Sequence, residues 1–363
     1  MKKWGKYAIL LIVIIVIALL YSLNINHYEN GKWGFIDKHG QQIIPLQFEW
    51  AENFYENLAV IQIGDKYGYI DRSGNIAVDP QYRYASRFSG GLAMINADGK
   101  YGFIDKYGSM VIEPKYEWAR DFSEDLAVIK INGKSGFIKQ DGSLAVQPNY
   151  DWAWDFSDGL APVFINSKYG FVNRGGEIAI TPGFNYARGF SEGLAQVTIN
   201  NKYGSIDKKG NIVIKPVYDW AWRFSEGLAV VKIREHYGYL DKSGNVVIKP
   251  IYDWAWDFHD GLAKIVLSGK HGFIDREGRI IIQPQFEWAG DFREGLAKVI
   301  IDDHYSYIDQ KGNIVITTCY SLAGDFSEGL AAVQEPNNAQ HYSNVYSERI
   351  DQAVDWLMQV IIP

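Results

Sequence analysis

The side chains best equipped for chemistry in this sequence are carboxylates that recur at a fixed place. Aspartate stands at Asp37, Asp71, Asp105, Asp207, Asp241, Asp275 and Asp309, each three residues before a glycine. A carboxylate can hold a metal or exchange a proton, but one that precedes a turn glycine also accepts bonds from the turn's own amides. Lys139 and Asn173 fill the same place in two further copies, as a turn allows and a catalytic role would not. Turn capping is the expectation for the whole column. The histidines, His27, His39, His236, His259, His271, His304 and His341, fall at unrelated places with no second ligand at helical or strand spacing, so no metal site is expected. No Gly-rich phosphate loop, nucleophile elbow or HExxH pair occurs. The single cysteine, Cys319, excludes an intrachain disulfide and a cysteine-based zinc site. These residues predict a chain that is not an enzyme, with no catalytic residues and no cofactor.

Aromatic side chains point to binding instead. Trp154, Trp222 and Trp256 occupy a place filled in other copies by Glu52, Ser86, Arg120, Arg188, Gly290 and Gly324. A position that accepts glycine, arginine and tryptophan reads as exposed. With Asp155 and Asp257 beside them, these indoles form the candidate binding surface, able to stack on sugar rings or grip a cationic group. The alternative is that they staple adjacent units by packing.

The elements that must position these residues come from a repeat. Units begin at Trp33, Tyr67, Tyr101, Ser135, Tyr169, Tyr203, Tyr237, His271 and Tyr305, each 34 residues after the last. A unit this short cannot bury a core alone, so its apolar faces must pack on its neighbours. The unit from Tyr237 is representative. Its first strand, Tyr237–Asp241, leads through a glycine turn at Gly244 into Val246–Val247–Ile248, a hairpin by its turn chemistry. The β-branched second arm is expected to be buried on both faces and to stop at a proline, here Pro250. An aromatic segment follows, Tyr252 to Phe258, too short to tell an inner strand from one helical turn. Last comes a strand such as Leu228–Ile233, where Ala229, Val231 and Ile233 are expected in the core and Val230, matched by Gln196, Lys264 and Lys298, on a wet face.

The ends of the chain differ from the array. Lys2, Lys3 and Lys6 precede an apolar run from Tyr7, and the segment 1–25 is long enough to span a membrane with its amino end in the cytoplasm. A cleaved signal peptide is the alternative, which would leave the protein secreted. A linker covers 26–32, the repeats 33–335, and a polar tail with an amphipathic capping helix 336–363, in which Ile350, Val354, Leu357 and Ile361 share a stripe. The net charge of −7 offers no basic face for nucleic acid.

The aromatic-Gly-aromatic-Ile-Asp start, the Asp-Lys-x-Gly turn and the Phe-Ser-Glu-Gly-Leu-Ala element together resemble the WG-repeat (KWG) family of bacterial tandem β-repeat proteins. The resemblance runs from Trp33 to Val333, although within the array Trp-Gly itself stands only at Trp33-Gly34 and Ser306 replaces the glycine of the last unit. It implies a β-rich repeat domain, often exported, with no defined catalytic residues. The resulting expectation is an all-β array of nine antiparallel meanders in an open curved stack, the alternative being a closed propeller-like ring. It would sit on the extracytoplasmic side of a bacterial membrane as a single-pass scaffold, binding a protein partner or, alternatively, a cell-envelope glycan.

Overall fold

The computed structural model describes residues 31–335 apart from 302, 303 and 319. The expected anchor over 1–25 and the capping helix from Ser347 lie outside the described residues. Residues Trp33–Gln334 form one compact unit.

Strands within this unit pair in sequence order because each turn returns the chain beside the strand it has just left. Blade 2 consists of Trp50–Ala51, Leu58–Ile63, Lys66–Asp71 and Ile76–Tyr82, hydrogen-bonded in that order. The same four-strand meander recurs at 84–116, 118–150, 152–184, 186–218, 220–252 and 254–286, which are blades 3 to 8. Blade 9 has Leu296–Ile301, His304–Asp309 and Ile314–Thr317, with its first strand reduced to a bridge between Ala289 and Val299. The aromatic segment that sequence left open is thus the first strand of each blade.

Blade 1 is built from both ends of the array. Its strands are Leu322–Ala323, Leu330–Gln334, Trp33–Asp37 and Gln42–Phe48, with Trp33 opposite Gln334 and Asp37 opposite Leu330. The array is therefore a closed nine-bladed ring, a β-propeller architecture. This overturns the open stack and leaves the alternative standing. The reason is that the array starts mid-unit, so the half-blades at its two ends each supply the strands the other lacks, and closure removes two exposed edges.

Hydrogen bonds between blades repeat across the closure. Ser89 Oγ donates to the Phe122 carbonyl at 2.7 Å and Ser123 to Phe156 at 2.8 Å, and Ser157, Ser191 and Ser225 do the same to Phe190, Phe224 and Phe258. Ser327 makes the equivalent bond to Phe54 at 2.6 Å, joining the last unit to the first. A second series sits in the Glu-Gly turns. Glu192 and Glu226 hold the left-handed conformation, with φ of 53° and 52°, while their carboxylates accept from the Gly227 and Gly261 amides one blade on. Glu328 closes this series too, accepting from Asn57 N at 2.9 Å. The bond to the neighbouring blade offsets the cost of a non-glycine residue at positive φ.

Burial inverts two expectations. Ile212 and Val213 on an outer strand are 51% and 40% exposed, whereas Ile214 between them and the proline is 5% exposed. The β-branched arm is the outermost strand of its blade and has neighbours on one face. Leu58–Ile63, by contrast, is buried at Leu58, Ala59, Val60 and Ile61, and Val230 is only 1% exposed. This second strand is sandwiched between two blades, so both of its faces are core.

The glycine after the opening aromatic has a steric cause. A Cβ on Gly68 would lie 2.5 Å from the Val78 carbonyl oxygen and 2.6 Å from Pro80 N, because the outer strand bulges across it. The last unit confirms the coupling: where Ser306 replaces glycine, Thr318 replaces proline and the outer strand ends at Thr317.

Candidate functional site at the ring axis and one end

Equivalent side chains of successive blades meet along the first strands, as they must where blades converge on the axis. The place held by Trp154, Trp222 and Trp256 lies on these strands, and all three indoles are half-buried rather than exposed. Asp155 is half-buried and Asp257 is 7% exposed.

Each indole carries a cation. The Arg188 guanidinium lies 3.8 Å from the Trp222 ring centroid, Arg120 lies 5.2 Å from Trp154, and the Lys264 ammonium lies 4.4 Å from Trp256. Trp222 also stacks on Trp220, with centroids 5.2 Å apart and planes 19° apart. Trp154 and Trp222 take their cations from the preceding blade, whereas Trp256 packs on Lys264 and His271 of its own.

Ion pairs cross four of the nine blade interfaces at the same rim, cation on one blade and carboxylate on the next. Arg120 reaches Asp155 at 2.7 Å, Arg223 reaches Asp257 at 3.5 Å, Lys264 reaches Asp291 at 3.3 Å and Lys298 reaches Asp325 at 3.0 Å. Burial pushes Asp257 up to about 6, with Arg223 acting the other way, and burial also raises Asp121 and Glu52. Lys264 and Lys298 were read as wet-face residues. They are the cations of two of these pairs, their stems buried along the second strand and their heads at the axis. Gly290 and Gly324 stand on the blades they reach, and a Cβ on Gly290 would meet the Lys298 Cε and the Trp288 ring of its own blade, each at 3.4 Å.

The recurrent aspartates cap turns. Asp241 Oδ1 accepts from the Ser243 and Asn245 amides at 2.9 and 2.8 Å, and Asn173 Oδ1 accepts from Gly175 and Glu177 at 3.0 Å each. Bonds from the Asn211, Asn245 and Asn313 side chains and from turn amides hold Asp207, Asp241 and Asp309 below the usual carboxylate range. Among the described residues, no cluster of three His, Cys, Asp or Glu could hold a metal ion.

Exposed aromatic surface lies on a different column, at the end of the ring where the first strands begin. Trp254 is 44% exposed, Trp288 37% and Tyr84 44%. The ring of the exposed Trp254 packs on the buried Tyr237 and the half-buried Trp256, with centroids 4.6 and 6.0 Å apart. Sequence reasoning missed Trp254 and Trp288 because their column is almost always aromatic, which reads as core. The clue lay in Leu322, which keeps the place apolar without a ring.

Searching curated proteins returns no match. Among solved structures, the ring is similar to "Crystal structure of the eukaryotic initiation factor", with a TM-score of 0.55 and 11% identity over 85% of this chain and 99% of that one. It also matches the dihydro-heme d1 dehydrogenase NirN at a TM-score of 0.43 and 14% identity, over 77% of this chain and 76% of that one. A third match, Kluyveromyces lactis Hsv2p, has a TM-score of 0.38 and 8% identity over 62% and 91% of the two chains. At these identities the first likeness speaks to fold alone. The WG containing repeat family matches residues 33–67, 67–101, 101–134, 136–169, 169–203, 203–235, 237–270, 272–304 and 305–338. Nine consecutive matches over the whole ring make this chain a member of the WG-repeat family.

Proposed function

We propose that this protein is a non-catalytic scaffold, anchored in a bacterial membrane by residues 1–25 with its ring on the extracytoplasmic side, that binds a protein partner. The observation that carries this reading is the pair of exposed indoles on adjacent blades at one end of the ring, Trp254 and Trp288. Large rings with a solvent-facing edge are the side chains that anchor protein interfaces. The apolar amino-terminal segment supports the placement outside the cytoplasm.

The test is capture from an envelope fraction by the immobilised full-length chain, compared with the Trp254→Ala, Trp288→Ala double variant. A partner held by the parent and lost by a variant of unchanged circular dichroism supports the reading; identical captures contradict it. A cell-envelope glycan is the second reading, favoured by Asp253 and Glu287 lying exposed beside these indoles. Tryptophan fluorescence titrated with peptidoglycan fragments decides it, since an unchanged spectrum removes that reading.

A further inference from the structure

Among the described residues no axial ion pair crosses between blades 6 and 7, and a groove opens beside Arg188. Arg188 stands in blade 6 where Arg120 stands in blade 4, but the residue equivalent to Asp155 on the following blade is Arg223. Arg223 is itself paired forward to Asp257 at 3.5 Å. Arg188 also lacks a carboxylate neighbour on its own blade, because the next residue is Gly189, where blades 4 and 5 have Asp121 and Asp155. Its Nε donates to Tyr186 Oη at 3.0 Å and its plane lies over Trp222. Among the described residues, nothing engages its terminal nitrogens.

These residues line a groove of about 430 Å³ that includes Arg120, Trp154, Asp155, Tyr186, Arg188 and Arg223. It holds three guanidinium groups and one carboxylate, and that carboxylate is taken by Arg120. Trp154 Nε1, on its wall, has no hydrogen-bond partner among the described residues. Donors therefore exceed acceptors in a chain whose net charge is −7. A fixed guanidinium fork flanked by aromatic rings is suited to a carboxylate, which it can meet with two parallel bonds. The volume suits one or two side chains, and Asp155 opposes a polyanion laid along the groove.

We propose that the groove binds the carboxylate of an acidic peptide segment, with Arg188 as the principal donor. This rests on the protein-scaffold reading and names the chemistry of its partner. The Gly189→Asp variant would supply the missing carboxylate from within. A Cβ at Gly189 would have its nearest contact at 3.5 Å, from Ser157 Cβ, and no positive φ stands in the way.

The experiment titrates the full-length chain in detergent with a capped Gly-Glu-Gly-Glu-Gly peptide and its glutamine counterpart, followed by calorimetry and tryptophan fluorescence. The glutamate peptide should bind at least tenfold more tightly than the glutamine peptide. Arg188→Gln and Gly189→Asp should each weaken it at least tenfold, and Arg72→Gln, an exposed arginine outside the groove, should leave it unchanged. Equal binding of both peptides overturns the proposal, as does undiminished binding in Gly189→Asp. Inorganic phosphate or galacturonate oligomers binding as tightly as the peptide would overturn the peptide assignment. If the peptide fails to bind while Trp254 and Trp288 still govern partner capture, the groove alone is wrong; if both fail, so is the scaffold reading.

Discussion

Eight of the interfaces between blades are built alike, and the one between blades 6 and 7 is not. In the eight, an aromatic ring on the third strand meets a phenylalanine of the next blade, from Phe137–Phe156 at 4.7 Å to Tyr239–Phe258 at 5.0 Å. Where the ring is tyrosine its hydroxyl also crosses the interface, as Tyr239 Oη does to the Trp256 carbonyl at 2.8 Å. Between blades 6 and 7, Ser205 takes the ring's place opposite Phe224, and its strand partner is Gln196. The Gln196 amide nitrogen donates to the Ala221 carbonyl, and its buried oxygen has no partner among the described residues. Arg188, which has no ion pair among the described residues, stands at this same interface. The comparison teaches that eight interfaces are given over to holding the ring closed, whereas the ninth has exchanged apolar packing for polar groups beside a groove.

The largest effect that tests this contrast is deletion of a paired ring. Phe258→Ala should cost about 3–5 kcal/mol as a buried aromatic truncation. Phe224→Ala should cost less by about 0.5–1.5 kcal/mol, the contribution of the ring pair it lacks. Urea midpoints measured side by side decide it, and equal costs would show the two interfaces to be energetically alike. Next in size, Gln196→Val combined with Ser205→Phe rebuilds the common pattern and should stabilise the ring by about 1–2 kcal/mol, through a new ring pair and removal of an unpartnered amide oxygen. A lower midpoint would mean that no space for a ring exists at the seam.

A pH-dependent difference should accompany Asp257. Burial raises its folded value to about 6, so the native state holds a proton that the unfolded chain releases near its ordinary value. Its contribution is then fully present below about pH 4 and lost as pH rises through about 6. Asp257→Asn should accordingly gain stability relative to the parent between pH 4 and 6, and the gain should level off above. A difference independent of pH would mean that Arg223 keeps the carboxylate charged throughout. The smallest expected effects are Ser191→Ala and Ser225→Ala, each about 1 kcal/mol for a lost hydrogen bond. Their equality would show that the seam keeps the stitch common to the other blades, since Ser191 and Ser225 bond Phe224 and Phe258 at 2.7 and 2.8 Å.

Much of the fold was legible because the period is strict and the turn chemistry is local. The Asp-x-x-Gly hairpins and the capping role of Asp241 follow from residues within five positions of one another. Whether the array closes depends on Trp33 meeting Gln334, and open and closed forms share every pairing inside a unit. The exposure of two strands was inverted for a different reason. Ile212 and Val213 follow β-propensity on an outer strand, while Lys264 and Lys298 hide long stems in the core and disguise a buried position as a wet one. At the candidate site, variability at Trp154, Trp222 and Trp256 does not mark exposure, since all three are half-buried, and the exposed rings are Trp254 and Trp288.

Closure by Leu330–Gln334 is the claim on which blade 1 and the contacts joining the last unit to the first depend. Its most direct test replaces Trp33 and Gln334, which stand opposite each other in blade 1, with cysteine in a Cys319→Ser background, and oxidises the dilute protein. The ring predicts a rapid intramolecular disulfide, visible as faster migration on a non-reducing gel, and a higher urea midpoint than in the reduced form. Free thiols, or disulfides formed only between molecules, would contradict it.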